Sequence, residues 1–281
     1  MTGIVVTGST GRLGGRVARR LAAAGAPQTL LVRDPARAPQ LPGTTVRVAE
    51  YADGAAVEQA LAGADLVFMV SGAEAPERLD HHRSFVDAAV AAGVGQLVYT
   101  SFFAAAPDAT FTLARDHWVT ELYIREAGVP FTFLRDNIYA DFLPFMIGDD
   151  GVLRGPAGDG RASMVAQDDI ADAAVAVLSD PGRHVGATYD MTGPQALTFA
   201  EAVEIVGSLT GRSLSYLPET VDEAYASREK YGAPRWQVDA WVSTYLAVAL
   251  GELAPVSDDI PRLTGHPATS VRELLSRPPA E

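Results

Sequence analysis

From residue 3 to residue 135 the chain alternates short β-branched or apolar runs with alanine-rich amphipathic stretches. The runs fall at 3–7, 29–33, 45–49, 65–70, 96–100 and 130–135, and the stretches between them predict helices near 12–25, 54–63, 75–93 and 112–128. Runs apolar on both faces and separated by helices build a parallel sheet covered on both sides. In the first helix Leu13, Val17, Leu21 and Ala24 share one face while Arg16, Arg19 and Arg20 point away. That helix is expected to pack on the sheet and turn its charge to water. Six strands with these helices predict a doubly wound α/β fold.

The rhythm changes after residue 136. Gly148-Asp149-Asp150-Gly151 and the stretch 155–160 mark turns, helical patterns recur at 167–179, 198–210, 219–231 and 235–250, and a short strand at 187–191 interrupts them. The expected organisation is a parallel-sheet domain over 1–150 and a smaller, mostly helical substrate region over 151–281, with some elements free to return to the sheet. Trp236, Trp241, Tyr245 and Leu246 in the last helix read as core or interface, with a pocket wall as the alternative. Asp53, just before the helix at 54–63, reads as an N-cap, and Asp168-Asp169 as a helix start that suits the dipole.

Thr7-Gly8-Ser9-Thr10-Gly11-Arg12-Leu13-Gly14 follows the first strand and opens the first helix. In that context Gly8 permits a tight turn, Gly11 lets backbone approach a pyrophosphate, and Gly14 allows close helix–strand packing. The helix start offers unpaired N–H groups and positive dipole to an anion. The spacing G-x-x-G-x-x-G is one residue longer than the common dinucleotide fingerprint. At the end of the second strand, where an NAD enzyme would carry an acid for the ribose hydroxyls, the chain reads Leu31-Val32-Arg33-Asp34-Pro35. Arg33 can clamp a 2′-phosphate bidentately, with Arg12 approaching the same group, so NADP(H) is favoured over NAD(H).

Composition narrows the chemistry. With 22 Lys+Arg against 35 Asp+Glu, the 281 residues carry a formal charge of −13, which disfavours nucleic acid and acidic membrane surfaces as partners. There is no cysteine, so disulfides, thiolate catalysis and cysteine-held metal centres are absent. Lys230 is the only lysine, and the residue four before it is Ala226, so no Tyr-x-x-x-Lys pair exists. His81 and His82 are adjacent and point about 100° apart on a helix; no metal site is assigned. The chain lacks a charged leader and a long apolar run, reads as cytoplasmic, and is expected to be a monomer or homodimer.

These pieces resemble the NmrA-like branch of the atypical short-chain dehydrogenases/reductases, with its type 2 quinone oxidoreductase and triphenylmethane reductase members. The resemblance is carried in order by Val6 to Gly14, Leu31 to Pro35, Tyr99-Thr100-Ser101, His117 to Glu121, Phe131 to Arg135 and Leu263 to Pro267. It implies a Rossmann domain in which Gly8, Thr10, Gly11, Arg12 and Leu13 hold the pyrophosphate and Arg33 the adenosine phosphate. Ser71 and Ser101 would edge the nicotinamide half. The catalytic Lys of other relatives falls at His117 and the Tyr of the usual dyad at Leu113. Where look-alike enzymes have Leu-Arg-Asn-Gly, this chain has Leu134-Arg135-Asp136-Asn137, an acid in place of an amide beside the nicotinamide.

Hydride reduction of a simple ketone makes an alkoxide about as basic as hydroxide, whose conjugate acid, water, has a pKa of about 15.7, and therefore needs a positioned acid. A quinone makes a phenolate-like anion with a conjugate-acid pKa of about 10 and needs far less help. The absent dyad therefore points to an electron-poor conjugated acceptor: a quinone, an enone or a cationic system. Phe102, Phe103, Tyr139 and Phe142 are candidate apolar walls. His117 is the preferred polar catalytic residue, with a cofactor contact as its other reading; Tyr139 and Ser101 complete the catalytic candidates. The expected function is NAD(P)H-dependent reduction of such a small molecule. The alternatives are a redox-sensing regulator that binds NADP(H) without turnover, and an isomerase that uses the cofactor transiently.

Overall fold

The computed structural model describes residues 3–277. β1 (Ile4–Thr7), β2 (Gln28–Val32), β3 (Thr44–Val48), β4 (Leu66–Met69), β5 (Gln96–Phe102) and β6 (Phe131–Asp136) lie in one sheet in the order β3-β2-β1-β4-β5-β6. The pairs from β3 to β5 are all parallel. The inner strands β1 and β4 are buried along their whole length, as sequences such as Ile-Val-Val-Thr require, while β3 at the edge is mostly exposed and carries Arg47. α1 (Arg12–Ala23), α2 (Gly54–Leu61), α3 (Arg78–Ala91) and α4 (Thr112–Glu126) provide the crossovers.

The doubly wound reading therefore holds, and one later element returns to the sheet as that reading allowed. The strand expected among the C-terminal helices, here labelled β9 (Thr188–Met191) in chain order, is a seventh strand of the same sheet, beside β6. Phe133 N–H donates to Ala187 and Asn137 N–H to Met191, and this register brings the late segment back to the sheet.

α1 differs from the expectation. Arg16 and Arg20 do not face water alone: they pair with α6 (Gln167–Ser179), Arg16 with Asp168 at 3.1 Å and Arg20 with Asp168 at 2.7 Å and Asp172 at 2.6 Å. Asp168 and Asp169 sit in the first turn of α6 as expected, so Asp168 serves both the helix dipole and α1.

Asp53 caps α2 by accepting from Ala56 N–H at 3.0 Å. Asp53→Ala is expected to cost about 1 kcal/mol, read as a lower urea midpoint with an unchanged slope.

The remaining elements are α5 (Leu143–Met146), β7 (Val152–Gly155), β8 (Arg161–Ala162), β10 (Leu197–Thr198), α7 (Phe199–Thr210), β11 (Ser215–Pro218), α8 (Val221–Arg228), α9 (Arg235–Ala249), α10 (Asp259–Thr264) and α11 (Val271–Ser276). The backbone separates into two compact units that interleave along the sequence. Over the described residues, one takes 3–102, 116–135 and 168–189, and the other 103–115, 136–167 and 190–277. The chain thus leaves and re-enters each unit instead of changing once near residue 150. In the second unit β7 pairs with β11 and β8 with β10. Tyr245 of α9 lies against Gly155, where a Cβ would stand 2.3 Å from the ring. Val238 and Val242 are buried, with Trp241 and Leu246 packed against them, so this face of α9 is core.

Candidate functional site

The turn after β1 is built by its three glycines. Gly8 has φ +62, the left-handed region that glycine tolerates, and its carbonyl accepts from Gly11 N–H at 2.9 Å. Gly14 lies so close to the strand that a Cβ would be 2.4 Å from the Gly8 carbonyl oxygen and 2.7 Å from that of Thr7. Gly11 is the N-cap of α1 and, lacking a side chain, makes no side-chain cap bond, and the first turn carries no acid. The positive dipole of this helix start suits an anion.

A cavity of about 290 Å³ opens beside this turn, and Gly8, Thr10, Arg33 and Ser71 are among its lining residues. Its walls carry Arg33 and Arg78 against one carboxylate, Glu50. In a chain of formal charge −13, that local excess of cationic side chains favours an anionic ligand. Arg33 is exposed, while Asp34 accepts from Ala36 N–H at 2.9 Å and so begins a turn rather than meeting a ribose. The glycine cradle, the uncapped helix start and the exposed guanidinium at the end of β2 fit a dinucleotide with a 2′-phosphate.

The cavity wall is fixed from behind by a hydrogen-bonded ring. Val70 N–H donates to the Thr7 hydroxyl (2.9 Å), Thr7 donates to Tyr51 (2.6 Å), and Tyr51 donates back to the Val70 carbonyl (2.7 Å). Burial pushes the Tyr51 phenol well above its ordinary range, so it stays a donor. Ser71 is held by its N–H to Thr100 Oγ1 at 2.8 Å.

Arg78 lies deeper, buried to 4% exposure. Its Nε donates to the Gly72 carbonyl (3.1 Å) and its Nη2 to His117 Nε2 (2.8 Å). Nη1 faces Asp116 at 3.6 Å and makes no hydrogen bond.

The neighbouring histidines have assignable tautomers. A guanidinium can only donate, so His117 Nε2 is bare and the ring's proton sits on Nδ1, directed to the Tyr99 hydroxyl at 2.9 Å. Burial, then Arg78, His82 and Arg135, hold the His117 pKa well below its ordinary value. Gly72 N–H likewise donates to His82 Nε2 (2.8 Å), so His82 Nδ1–H donates to Thr120 (2.9 Å), which donates to the Asp116 carbonyl (2.8 Å). Burial first, then Arg78 and His81, push the His82 pKa down to about 3. Both rings are neutral near pH 7.

The sequence-chosen catalytic residues are thus engaged with protein partners. His117 spends both ring nitrogens on Arg78 and Tyr99. Ser101 donates to Glu121 Oε1 at 2.6 Å, and Glu121, fully buried, takes a bidentate pair from Arg135 at 2.8 and 2.6 Å. Tyr139, in the second unit, donates to Asp136 at 2.8 Å. Of the expected phosphate-binding residues outside the cavity wall, Gly11 and Arg12 are exposed at the start of α1 and Leu13 is buried with its side chain in the core. Arg78, Tyr51 and Glu121 went unread as site residues. The one sequence signal for Arg78 was its position one turn before His82 on the predicted helix.

The NmrA-like family profile matches residues 2–227. The (4-alkanoyl-5-oxo-2,5-dihydrofuran-3-yl)methyl phosphate reductase of Streptomyces griseus is 37% identical over 277 residues, covering 96% of this chain and 95% of its own. The crystal structure of the NADPH-dependent quinone oxidoreductase 2 of Escherichia coli with NADPH superposes with a TM-score of 0.89 at 32% identity, over 97% of this chain and 98% of that one. Triphenylmethane reductase of Citrobacter sp. with NADP(H) gives 0.86 at 30%, over 97% and 98%.

Proposed function

Because the chain belongs to the NmrA-like family, we propose that it is an NADPH-dependent oxidoreductase whose acceptor is a conjugated, electron-poor small molecule, with quinones first. The observation that carries this reading is the glycine turn of β1–α1 opening on a cavity with Arg33 in its wall. Three relatives support it. One is a quinone oxidoreductase solved with NADPH, one a dye reductase solved with NADP(H), and one acts on a 5-oxo-2,5-dihydrofuran, a conjugated lactone.

A dihydronicotinamide, when bound, supplies the hydride. The residues of this chain bind and orient. Gly8, Thr10 and the first turn of α1, with Gly11, Arg12 and Leu13, take the pyrophosphate; Arg33 takes the 2′-phosphate. Ser71 and Arg78 face the cavity, and the spare Nη1 of Arg78 is a buried donor for a polar ligand atom. His117 and Ser101 act as positioning residues, the first holding Arg78 and the second holding Glu121. With the proton-donating dyad absent, placement of a flat acceptor against the ring does most of the catalytic work.

The test is oxidation of NADPH and of NADH by the purified protein with a soluble naphthoquinone, uncatalysed reduction subtracted. Arg33→Ala is expected to raise KM for NADPH about tenfold, equivalent to about 1.4 kcal/mol and consistent with one exposed charge-assisted contact, while KM for NADH stays put. Equal effects on the two cofactors would remove Arg33 from the phosphate site. Tight NADPH binding without turnover on quinone, enone or cationic dye would favour the regulatory reading.

A further inference from the structure

In the strand order β2-β1-β4, the glycine turn of β1 stands between two strand ends, each with an arginine. Arg33 follows β2, and the loop after β4 carries Ser71-Gly72 and leads into α3, whose first residue is Arg78. Two strand spacings, about 10 Å, separate the ends of β2 and β4. Gly8, Arg33, Ser71, Gly72 and Arg78 line one cavity, and all of them belong to the first compact unit. The two arginines are held differently. Arg33 is exposed and can follow a ligand, whereas Arg78 is 4% exposed and clamped by the Gly72 carbonyl at 3.1 Å and His117 Nε2 at 2.8 Å. The clamp is itself fixed, His117 by Tyr99 and Gly72 N–H by His82. What remains is Nη1, enclosed and without a hydrogen-bond acceptor among the described residues.

A buried guanidinium is costly unless both its charge and its N–H groups are met. Asp116 Oδ2, at 3.6 Å and with its side chain 26% exposed, meets the charge in part and accepts no hydrogen bond from Nη1. Nη1 is therefore suited to an oxygen that carries negative charge. A dinucleotide whose 2′-phosphate sits at the end of β2 must cross the β1 turn towards β4, and the charged group it brings there is its pyrophosphate. We propose that Arg78 holds the pyrophosphate of the dinucleotide through Nη1, as an anion site on the side of the glycine turn opposite Arg33. This rests on the reading of the chain as an NADPH-dependent enzyme. The planar fork of an arginine serves the Gly72 loop, His117 and the ligand at once, which a lysine cannot do. Binding replaces a loose ion pair by a charge-assisted hydrogen bond. Asp116 competes for the same nitrogen and so holds the affinity down.

Three ligands separate this contact from a structural role. NADPH carries both phosphate groups, NADH the pyrophosphate alone, and adenosine 2′-monophosphate the 2′-phosphate alone. In binding titrations Arg78→Met should raise Kd for NADPH and NADH by the same factor, about thirtyfold for a buried bond to a charged group, while adenosine 2′-monophosphate binds as before. Arg33→Ala should give the complementary pattern, weakening NADPH and adenosine 2′-monophosphate and sparing NADH. Asp116→Asn leaves Arg78 and its clamp in place and removes the competitor. It should tighten both dinucleotides about threefold, the scale of a partly exposed ion pair, without changing adenosine 2′-monophosphate, and it decides the question if Arg78→Met does not fold. Equal weakening of all three ligands by Arg78→Met would show a collapsed cavity wall and overturn the proposal. Unchanged NADH binding in Arg78→Met, or dinucleotide binding no tighter in Asp116→Asn, overturns it as well. The titrations need no acceptor: a protein that follows the expected pattern but reduces no quinone, enone or dye overturns the reductase reading and leaves Arg78 at the pyrophosphate. A wild-type protein that binds neither dinucleotide overturns both.

Discussion

Gly14→Ala is expected to weaken NADPH binding about a hundredfold and to destabilise the fold at the same time. The added Cβ would stand 2.4 Å from the Gly8 carbonyl oxygen, about 1 Å inside ordinary van der Waals contact. The three atoms it meets, Gly8 O, Gly8 C and Thr7 O, all belong to backbone, and none can swing aside. α1 must therefore back away from β1, which costs about 1–3 kcal/mol as overpacking. The same shift spoils the Gly11 N–H to Gly8 bond of 2.9 Å and carries the helix start away from the phosphate it would hold. A loss of about 2.7 kcal/mol in binding corresponds to the hundredfold figure.

Gly11→Ala is the control. Its backbone is ordinary extended N-cap geometry at φ −96, ψ −179, and its Cβ would meet one atom within 4 Å, Gly8 O at 3.2 Å. That variant should keep a near-native urea midpoint and still bind NADPH poorly, because the methyl group occupies the approach to the pyrophosphate. Cofactor fluorescence titration alongside urea unfolding separates the two outcomes. A Gly14→Ala protein that binds as wild type would falsify the phosphate-loop assignment.

The parts of the site that were legible in the sequence are those whose physics is local. A strand, a glycine turn and a helix start within a dozen residues specify the roles of Gly8, Gly11 and Gly14 without knowledge of any distant segment. The same holds for Asp53, whose cap reaches three residues along the chain. The place of Arg33 in the cavity wall was legible because a strand end in a doubly wound sheet has a defined neighbour. What failed was long-range. Arg16 and Arg20 read as solvent-facing because their partners Asp168 and Asp172 lie some 150 residues later, at separations of 148 and 152. His117 looked like a free imidazole, yet Arg78 and Tyr99, at separations of 39 and 18, take its two nitrogens. Asp136 was visible as an acid in an amide's place, but its protonation state depends on burial, which no local pattern reports.

The pH profile of stability should carry the signature of that burial. Asp136 has a folded pKa near 8 against 3.8 unfolded, so between those values the native state binds the extra proton. Its contribution is complete below about pH 3.8 and is lost as pH rises towards 8. The buried histidines run the other way. His82, near 3 folded against 6.5 unfolded, contributes above pH 6.5 and loses that contribution as pH falls towards 3; His117 is lowered in the same sense. Above pH 6.5 the histidine effects are finished and the Asp136 effect remains, so stability should decline between 6.5 and 8 by about 1.4 kcal/mol per pH unit, roughly 2 kcal/mol in all. Below 6.5, two histidine protons taken up on unfolding outweigh the one that Asp136 releases, and stability declines with acid instead. Asp116, also raised by burial, works against that acid limb. The expected maximum lies near pH 6.5. Urea midpoints taken in half-unit steps from pH 5.5 to 8.5 would trace it, and Asp136→Asn should abolish the alkaline decline while keeping the acid one. Parallel curves for the two proteins would mean that Asp136 is ionised in the native state, and that the enclosure of its carboxyl does not govern its proton.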